Sequence, residues 1–161
     1  MNFPIRRATP DDVPTLVAFN AALAVESEGK VLDRAVLEAG VRAALADPAK
    51  GFYVIAERDG EAIGQTGVTF EWSDWRNGWY WWIQSVYVRE DARRGGVFSA
   101  IYKHLEAEAA ADPQVIGLRL YVENENHRAK ATYAKLGMTD ENYMLMGRYP
   151  LPGRASHISG V

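Results

Sequence analysis

The residues whose types and spacing could do chemistry lie in one stretch, Val86-Tyr87-Val88-Arg89-Glu90-Asp91-Ala92-Arg93-Arg94-Gly95-Gly96-Val97-Phe98-Ser99. An apolar run ends, a polar turn follows, and a Gly-Gly pair opens an apolar-periodic segment. That pattern suits an anion site. Glycine lets the backbone approach a ligand closely, and the first N–H groups of a helix point outward at its positive pole without an internal partner. Arg93 and Arg94 add charge-assisted donors suited to phosphate. The same spacing also fits a plain strand-turn-helix in which the glycines only make the turn and the arginines are solvated. Two familiar phosphate loops are excluded: no Lys-Ser or Lys-Thr closes the turn, and there is no Gly-x-Gly-x-x-Gly. With no cysteine in the chain, thiolate nucleophiles, disulfides and zinc-cysteine sites are excluded as well. His104, His127 and His157 show no metal-ligand spacing, so no metal is expected. Trp72, Trp75, Trp79, Tyr80, Trp81 and Trp82 form an aromatic cluster. Alternate members fall on opposite faces of a strand, giving either cross-strand packing or a face for a cationic group.

These residues need elements to hold them. Phe3 to Ala8 suits a first strand. Thr9-Pro10-Asp11-Asp12 starts a helix, with a hydroxyl to cap it, proline in the first turn and carboxylates at the positive end of the dipole. Its stripe is Val13, Leu16, Val17, Asn20 and Ala24, and Glu26 to Lys30 breaks it. Asp33 caps a second helix with Leu37, Gly40, Val41, Ala44 and Leu45 on one face, stopped by Asp47-Pro48. Phe52–Glu57 and Ala62–Trp72 read as strands around the tight turn Arg58-Asp59-Gly60-Glu61. Trp79–Val88 is apolar on both faces, as expected of a central strand. Phe98, Ile101, Tyr102, Leu105 and Ala109 mark the helix opened by the glycines, and Val115–Val122 the next strand. Ala129, Thr132, Tyr133 and Leu136 mark a short helix ending at Gly137. Tyr143–Tyr149 is expected to be a last strand, with residues 150–161 a polar tail outside a single domain of residues 1–149. The order β-α-α-β-β-β-α-β-α-β predicts a mixed α/β sheet, α+β-like and mostly antiparallel, covered by helices.

The chain has 161 residues, enough for one domain with its own core. Its 18 basic and 21 acidic residues give a net charge of −3, which offers no general attraction to nucleic acid or anionic lipid. Residues 1–7 lack an apolar h-region, and no apolar run approaches the ~18 residues of a membrane span. The expectation is a cytoplasmic protein.

Arg93-Arg94-Gly95-Gly96-Val97-Phe98 resembles the acetyl-CoA motif of the GNAT superfamily of N-acetyltransferases, Arg/Gln-x-x-Gly-x-Gly/Ala, with Phe98 where that family has a small residue. Downstream, Asn126-His127-Arg128-Ala129-Lys130-Ala131-Thr132-Tyr133-Ala134-Lys135-Leu136-Gly137-Met138 is similar to the family's Asn-x-x-Ala-x-x-x-Tyr-x-x-x-Gly-Phe. The resemblance covers almost all of the chain up to Pro150. It implies a sheet that splays after the strand Trp79–Val88, so that the pantetheine arm lies against the backbone of Val86, Tyr87 and Val88. It also implies a pyrophosphate held by N–H groups from Arg94 through Ser99, with Gly95, Gly96, Val97 and Phe98 between them and Arg93 beside them. Asn126 is expected at the coenzyme or as a cap. Tyr133 is expected beside the sulfur, where a phenol with pKa near 10 can give a proton to a departing thiolate.

Family members commonly carry a glutamate on the central strand as general base; here that window reads Trp82-Ile83-Gln84. Glu26, Glu28, Glu71 and Asp74 are candidates by location, as is water, and each carboxylate can equally be a solvated surface group. The implied activity moves an acetyl group from acetyl-CoA to a primary amine of a small molecule or peptide, in a ternary complex. The alternatives are a CoA-binding module without chemistry and, on the wrong loop chemistry, a generic nucleotide-binding domain. A homodimer through an exposed edge of the aromatic region is also open.

Overall fold

The computed structural model describes residues 3–160. Strand β1 (Ile5–Arg7) leads through a 3-10 turn into helix α1 (Val13–Glu28), which Gly29 ends in the left-handed conformation at φ 59°. A short strand β2 (Lys30–Leu32) precedes α2 (Arg34–Ala46), whose N-cap Asp33 accepts from the Val36 N–H at 3.1 Å. Strands β3 (Phe52–Arg58), β4 (Glu61–Ser73) and β5 (Gly78–Val88) form an antiparallel meander. Asp59 and Gly60, at φ 55° and 80°, make the two-residue turn that the Asp-Gly pair predicts. Helix α3 (Val97–Ala111) crosses over to β6 (Val115–Leu120), which lies parallel to β5. Helix α4 (His127–Lys135) follows, and β7 (Ile158–Gly160) closes the described chain.

The main sheet has the order β1-β3-β4-β5-β6. Its alternating side chains build two cores. Val54, Ala56, Ile63, Val68, Trp81 and Ile83 meet Val97, Ile101, Tyr102 and Leu105 of α3 on one face, while Ile55 meets Val13, Leu16 and Val17 of α1 and Val41 of α2 on the other. A fully buried Leu105 or Leu16 contributes about 2 kcal/mol through its removal from water. The helical stripes read from the sequence are the faces that pack.

The aromatic cluster divides by strand parity. Trp81 joins the α3-side core and meets Phe52 at 5.2 Å between centroids, Phe70 meets both Trp79 and Trp81, and Trp72 meets Trp79 edge-on at 5.0 Å. On the opposite face Trp82 stacks on Tyr121 at 4.4 Å, and the Arg119 guanidinium lies 3.6 Å over Tyr80. The cation on Tyr80 is therefore the protein's own. Trp75, in the β4–β5 connection, is 87% exposed.

Two expectations for the C-terminal region need correction. Residues 143–149 pair with no strand, and Tyr143, Met144, Leu145, Met146 and Tyr149 are exposed to solvent, so they are not a strand of this sheet. A strand-like pattern specifies how side chains alternate; it does not supply the ladder partner a strand needs. Conversely, the segment expected to be a featureless tail supplies β7, which pairs antiparallel with β2 through Lys30↔Gly160, Val31↔Ser159 and Leu32↔Ile158. Three-residue strands are too short to show a period, and this pair joins residues more than 120 positions apart.

Candidate active site

Strand β5 is where the sheet opens. It pairs with β4 along nearly its whole length, whereas its pairing with β6 stops at Ile83↔Leu120, five residues before β5 ends at Val88. A register shift between Gln65 and Gly67 and a left-handed Ser85 at φ 52° bend β5 at that point. Gln65, fully buried, steadies the bend by donating from Nε2 to the Ser85 carbonyl at 3.2 Å. Beyond Ile83, β5 therefore has a free edge toward β6, carrying the backbone of Val86, Tyr87 and Val88.

The turn after β5 is built for open amides. Arg94 and Gly96 adopt left-handed φ of 66° and 81°, in a segment that runs straight into α3. Successive N–H groups in such a turn converge into an anion-binding concavity at the positive helix end. The Ala100 N–H is the first to find a helical acceptor, Gly96 O at 3.0 Å; the amides of Gly95 through Ser99 precede it and make no backbone hydrogen bond to the turn among the described residues. Gly96 is also open: a Cβ there would meet nothing within 4 Å.

This turn and the start of α4 face a common cleft of about 380 Å³, lined by Val88, Arg93, Arg94, Gly96, Val97, Phe98 and Ser99 on one side and by Asn126, Ala129 and Tyr133 on the other. The two motifs, thirty residues apart in sequence, thus meet in space, and the volume falls in the range of small-molecule sites. Asn126 caps α4 by accepting from the Ala129 N–H at 3.0 Å through Oδ1. Its amide nitrogen stays available to the cleft. Tyr133 is half-buried, and burial pushes its phenol above the ordinary tyrosine range. Its ring meets Phe98 edge-on at 5.5 Å. Phe98, where the resembling motif has a small residue, thus fixes the ring that carries the candidate acid. A second cleft, of about 460 Å³, lies on the other side of the α3 N-terminus, bounded by Phe3, Gly96, Ser99, Lys103 and His104; it shares Gly96 and Ser99 with the first but lacks Asn126 and Tyr133.

Arg93 is held differently from Arg94. Its Nε donates to the Val88 carbonyl at 2.9 Å and its Nη2 to Glu26 Oε2 at 2.5 Å, and its guanidinium lies 5.7 Å from the Tyr87 ring. Arg93 therefore joins the end of β5 to the end of α1; both arginines line the cleft, and Arg94 is the one whose side chain makes no hydrogen bond among the described residues. Tyr87, packed on Phe19 of α1, has its phenol raised first by burial and then by the Glu26 charge. This Glu26–Arg93–Tyr87 cluster was not legible from motifs, because its members come from α1 and the β5 turn.

The four carboxylates considered as bases separate by geometry. Glu71 lies opposite Tyr80, six residues from Val86 along β5, which is about 20 Å at the rise of a strand. Both its contacts, Trp82 Nε1 at 3.0 Å and Arg119 Nη1 at 2.9 Å, fall on Oε1. Asp74 accepts from its neighbour Trp75 in the distal turn, and Glu28 pairs with Lys30 at 2.7 Å. Glu26 alone of the four reaches the splayed end of β5, one guanidinium away from the Val88 carbonyl. Gln84 is engaged by Thr69, to whose Oγ1 its amide donates at 2.5 Å. Among the described residues there is no cluster of side chains that could hold a metal, and no helix long and apolar enough to cross a membrane.

Similarity to known proteins agrees with this architecture. The sequence model of the acetyltransferase (GNAT) family matches residues 18–138. A possible acetyltransferase from Clostridium difficile 630 superposes with a TM-score of 0.86 at 42% identity, over 94% of this chain and 99% of that one. A predicted acetyltransferase from Clostridium acetobutylicum, solved with acetyl-CoA, shares the fold at a TM-score of 0.75 and 19% identity, over 91% and 96% of the two chains. Glucosamine-6-phosphate N-acetyltransferase from Arabidopsis thaliana does so at 0.72 and 17%, over 92% and 99%. No curated protein matches the sequence. With the family model covering most of the chain, and with the splayed strand and amide-lined helix start in place, the protein belongs to the GNAT family of acetyltransferases.

Proposed function

We propose that this protein is an N-acetyltransferase that carries the acetyl group of acetyl-CoA to a primary amine of a small molecule or peptide, by direct attack within a ternary complex. The observation that carries this reading is the convergence, in one cleft, of the unpaired α3 amides, the end of β5 at Val88 and Tyr133. The donor set fits the coenzyme: amides 94–99 and Arg94 suit the pyrophosphate, the Val86–Val88 backbone suits an extended pantetheine amide chain, and the Asn126 amide adds a polar contact.

In this reading a backbone N–H near Val86 polarises the thioester carbonyl, a contact worth roughly 3 kcal/mol in comparable oxyanion sites. The amine nitrogen forms the new C–N bond, and the C–S bond breaks with its electron pair on sulfur. Tyr133 gives its phenolic proton to that sulfur and recovers one from solvent. The surplus proton on nitrogen leaves through water to Glu26, the one of the four candidate carboxylates that reaches this end of β5 through Arg93. With no cysteine in the chain, the reading needs no thiol acyl-enzyme step. The cysteine-free composition also accords with a reducing compartment such as the cytoplasm.

Release of free CoA thiol from acetyl-CoA, measured across a panel of primary amines, tests the proposal. Amine-dependent thiol release supports it. Tight acetyl-CoA binding without turnover on any amine would instead favour a CoA-binding module, and ATP binding as strong as CoA binding would overturn both readings.

A further inference from the structure

Strand β5 changes face partway along its length. Up to Ile83 its odd-numbered side chains, Trp81 and Ile83, belong to the α3-side core; past Ser85 the even-numbered Val86 and Val88 pack there, and Tyr87 turns to Phe19 of α1. The backbone switches with them. Trp79 donates its N–H to the Gln114 carbonyl on the β6 side at 2.8 Å, whereas Arg89 donates to the Ile63 carbonyl of β4 at 2.8 Å, although both are odd-numbered. Successive residues of a strand send their N–H and C=O groups to opposite neighbours, so an extra residue stands between these two. The register locates it: Gly67 opposes Gln84 and Gln65 opposes Tyr87, so Ser85 and Val86 together face Thr66. Without that bulge the groups of Ser85 and Tyr87 would point to the free edge of β5; with it, those of Val86 and Val88 do.

Ser85 sits in this bulge at φ 52°, a conformation that strains a residue with a Cβ and that bulges of this kind usually give to glycine. Its carbonyl accepts from the Gln65 side chain of the neighbouring strand, Nε2 to O at 3.2 Å. Asn20, Gln65 and Thr66 are the buried polar side chains among the described residues, and two of the three stand at the bulge. Asn20 is accounted for by its bond to the Leu16 carbonyl of its own helix at 2.9 Å. Thr66 Oγ1 donates to the Gln65 carbonyl at 2.8 Å. Gln65 Oε1 has no partner, and a buried acceptor without a donor destabilises the fold. For stability alone an apolar residue of the same size serves better there, so the task of Gln65 lies at its donor end. We propose that Gln65 is a positioning residue for acetyl transfer: by holding the Ser85 carbonyl it keeps the strained bulge in place, and the bulge aims the Val86 N–H at the thioester carbonyl. This inference rests on the acetyltransferase reading above. A strained backbone persists where its surroundings over-determine it, and Gln65 is the side chain that does so at Ser85.

Gln65→Met keeps the side-chain length and removes the donor. Its kcat for amine-dependent release of CoA thiol is expected to fall roughly hundredfold, the loss that a misplaced oxyanion donor brings. Its calorimetric affinity for CoA, which has no acetyl carbonyl, and its circular dichroism are expected to stay at their wild-type values. Adding Ser85→Gly to Gln65→Met is expected to recover most of the lost kcat, because glycine holds φ 52° without support. In the wild type the Val86 amide resonance is expected to differ between the acetyl-CoA and CoA complexes, and in Gln65→Met to lose that difference. A wild-type kcat in Gln65→Met overturns the proposal. So does a parallel loss of CoA affinity and circular dichroism, which would make Gln65 a structural support only, or a Gln65→Met/Ser85→Gly variant as slow as Gln65→Met. If the wild type releases no thiol with any amine, the acetyltransferase reading fails, and the Val86 resonance still decides the aim of the bulge: the same position in both complexes overturns the role of Gln65.

Discussion

Tyr133, the proposed proton donor, sits in an environment that suits that role. Half-buried in the cleft, its phenol is raised by desolvation, so it stays protonated across the neutral range. A proton donor with that property imposes no alkaline loss of activity until its own raised pKa is passed. Tyr133→Phe is expected to lower kcat about 10²-fold while acetyl-CoA affinity, measured by calorimetry, stays near wild type. An unchanged kcat would remove Tyr133 from the chemistry. Glu26 is the complementary case. Glu26→Gln is expected to depress kcat/KM and to change the acid limb of its pH profile, whereas Glu71→Gln, about 20 Å along the strand, is expected to leave that profile as it is. A loss of activity with an unaltered profile would mean that Glu26 serves only to hold Arg93. Tyr133 was readable in the sequence because a motif marks it. Glu26 could not be told from Glu28, Glu71 and Asp74, since four surface carboxylates differ only in where the chain takes them.

At the scale of elements, the turn from β5 into α3 carries the binding argument. Its function lies in backbone conformation: left-handed Arg94 and Gly96 leave the amides before Ala100 without a helical partner. Gly96→Val sets a β-branched residue at φ 81°, a region such residues avoid, and fills open space at the mouth of the cleft. Acetyl-CoA affinity is expected to fall at least tenfold, about 1.4 kcal/mol, and the backbone strain is expected to lower the melting temperature as well. Unchanged affinity would show that the phosphates bind elsewhere. The position of this turn was legible from Gly95-Gly96 after an apolar run. The bend at Ser85 that frees the edge of β5 was not, since a left-handed serine inside a strand leaves no mark in composition.

Across the whole molecule, stability rests on the two helix–sheet cores and on ion pairs that clasp distant segments. Arg6 of β1 donates to both carboxylate oxygens of Asp12 and to Glu57 of β3. The Arg6 side-chain bonds hold the Asp12 carboxyl below the ordinary carboxylate range, with the Thr9 N–H adding to the effect. A depressed folded-state pKa stabilises the protein above the unfolded value near 4, and that contribution disappears as pH falls through the folded value. Asp12→Asn is therefore expected to cost about 1 kcal/mol at pH 7, discounted for the exposure of Arg6, and to converge with wild type as pH falls through the depressed folded-state value. Parallel thermal melts over that range check it; a gap that persists in acid would assign the effect to packing.

By itself, the sequence determined the helical faces, the Asp59-Gly60 hairpin, the parity of the aromatic strand and the two motifs of the cleft, because each is a local pattern of side chains along one element. Only the tertiary structure decided which carboxylate reaches the splayed end of β5, that an internal arginine covers Tyr80, that residues 143–149 pair with no strand, and that residues 158–160 pair with β2. Each of those is set by pairing between segments far apart in the chain. Local periodicity states that a residue is apolar, extended or charged, but it carries no information about which distant backbone or side chain will stand opposite it.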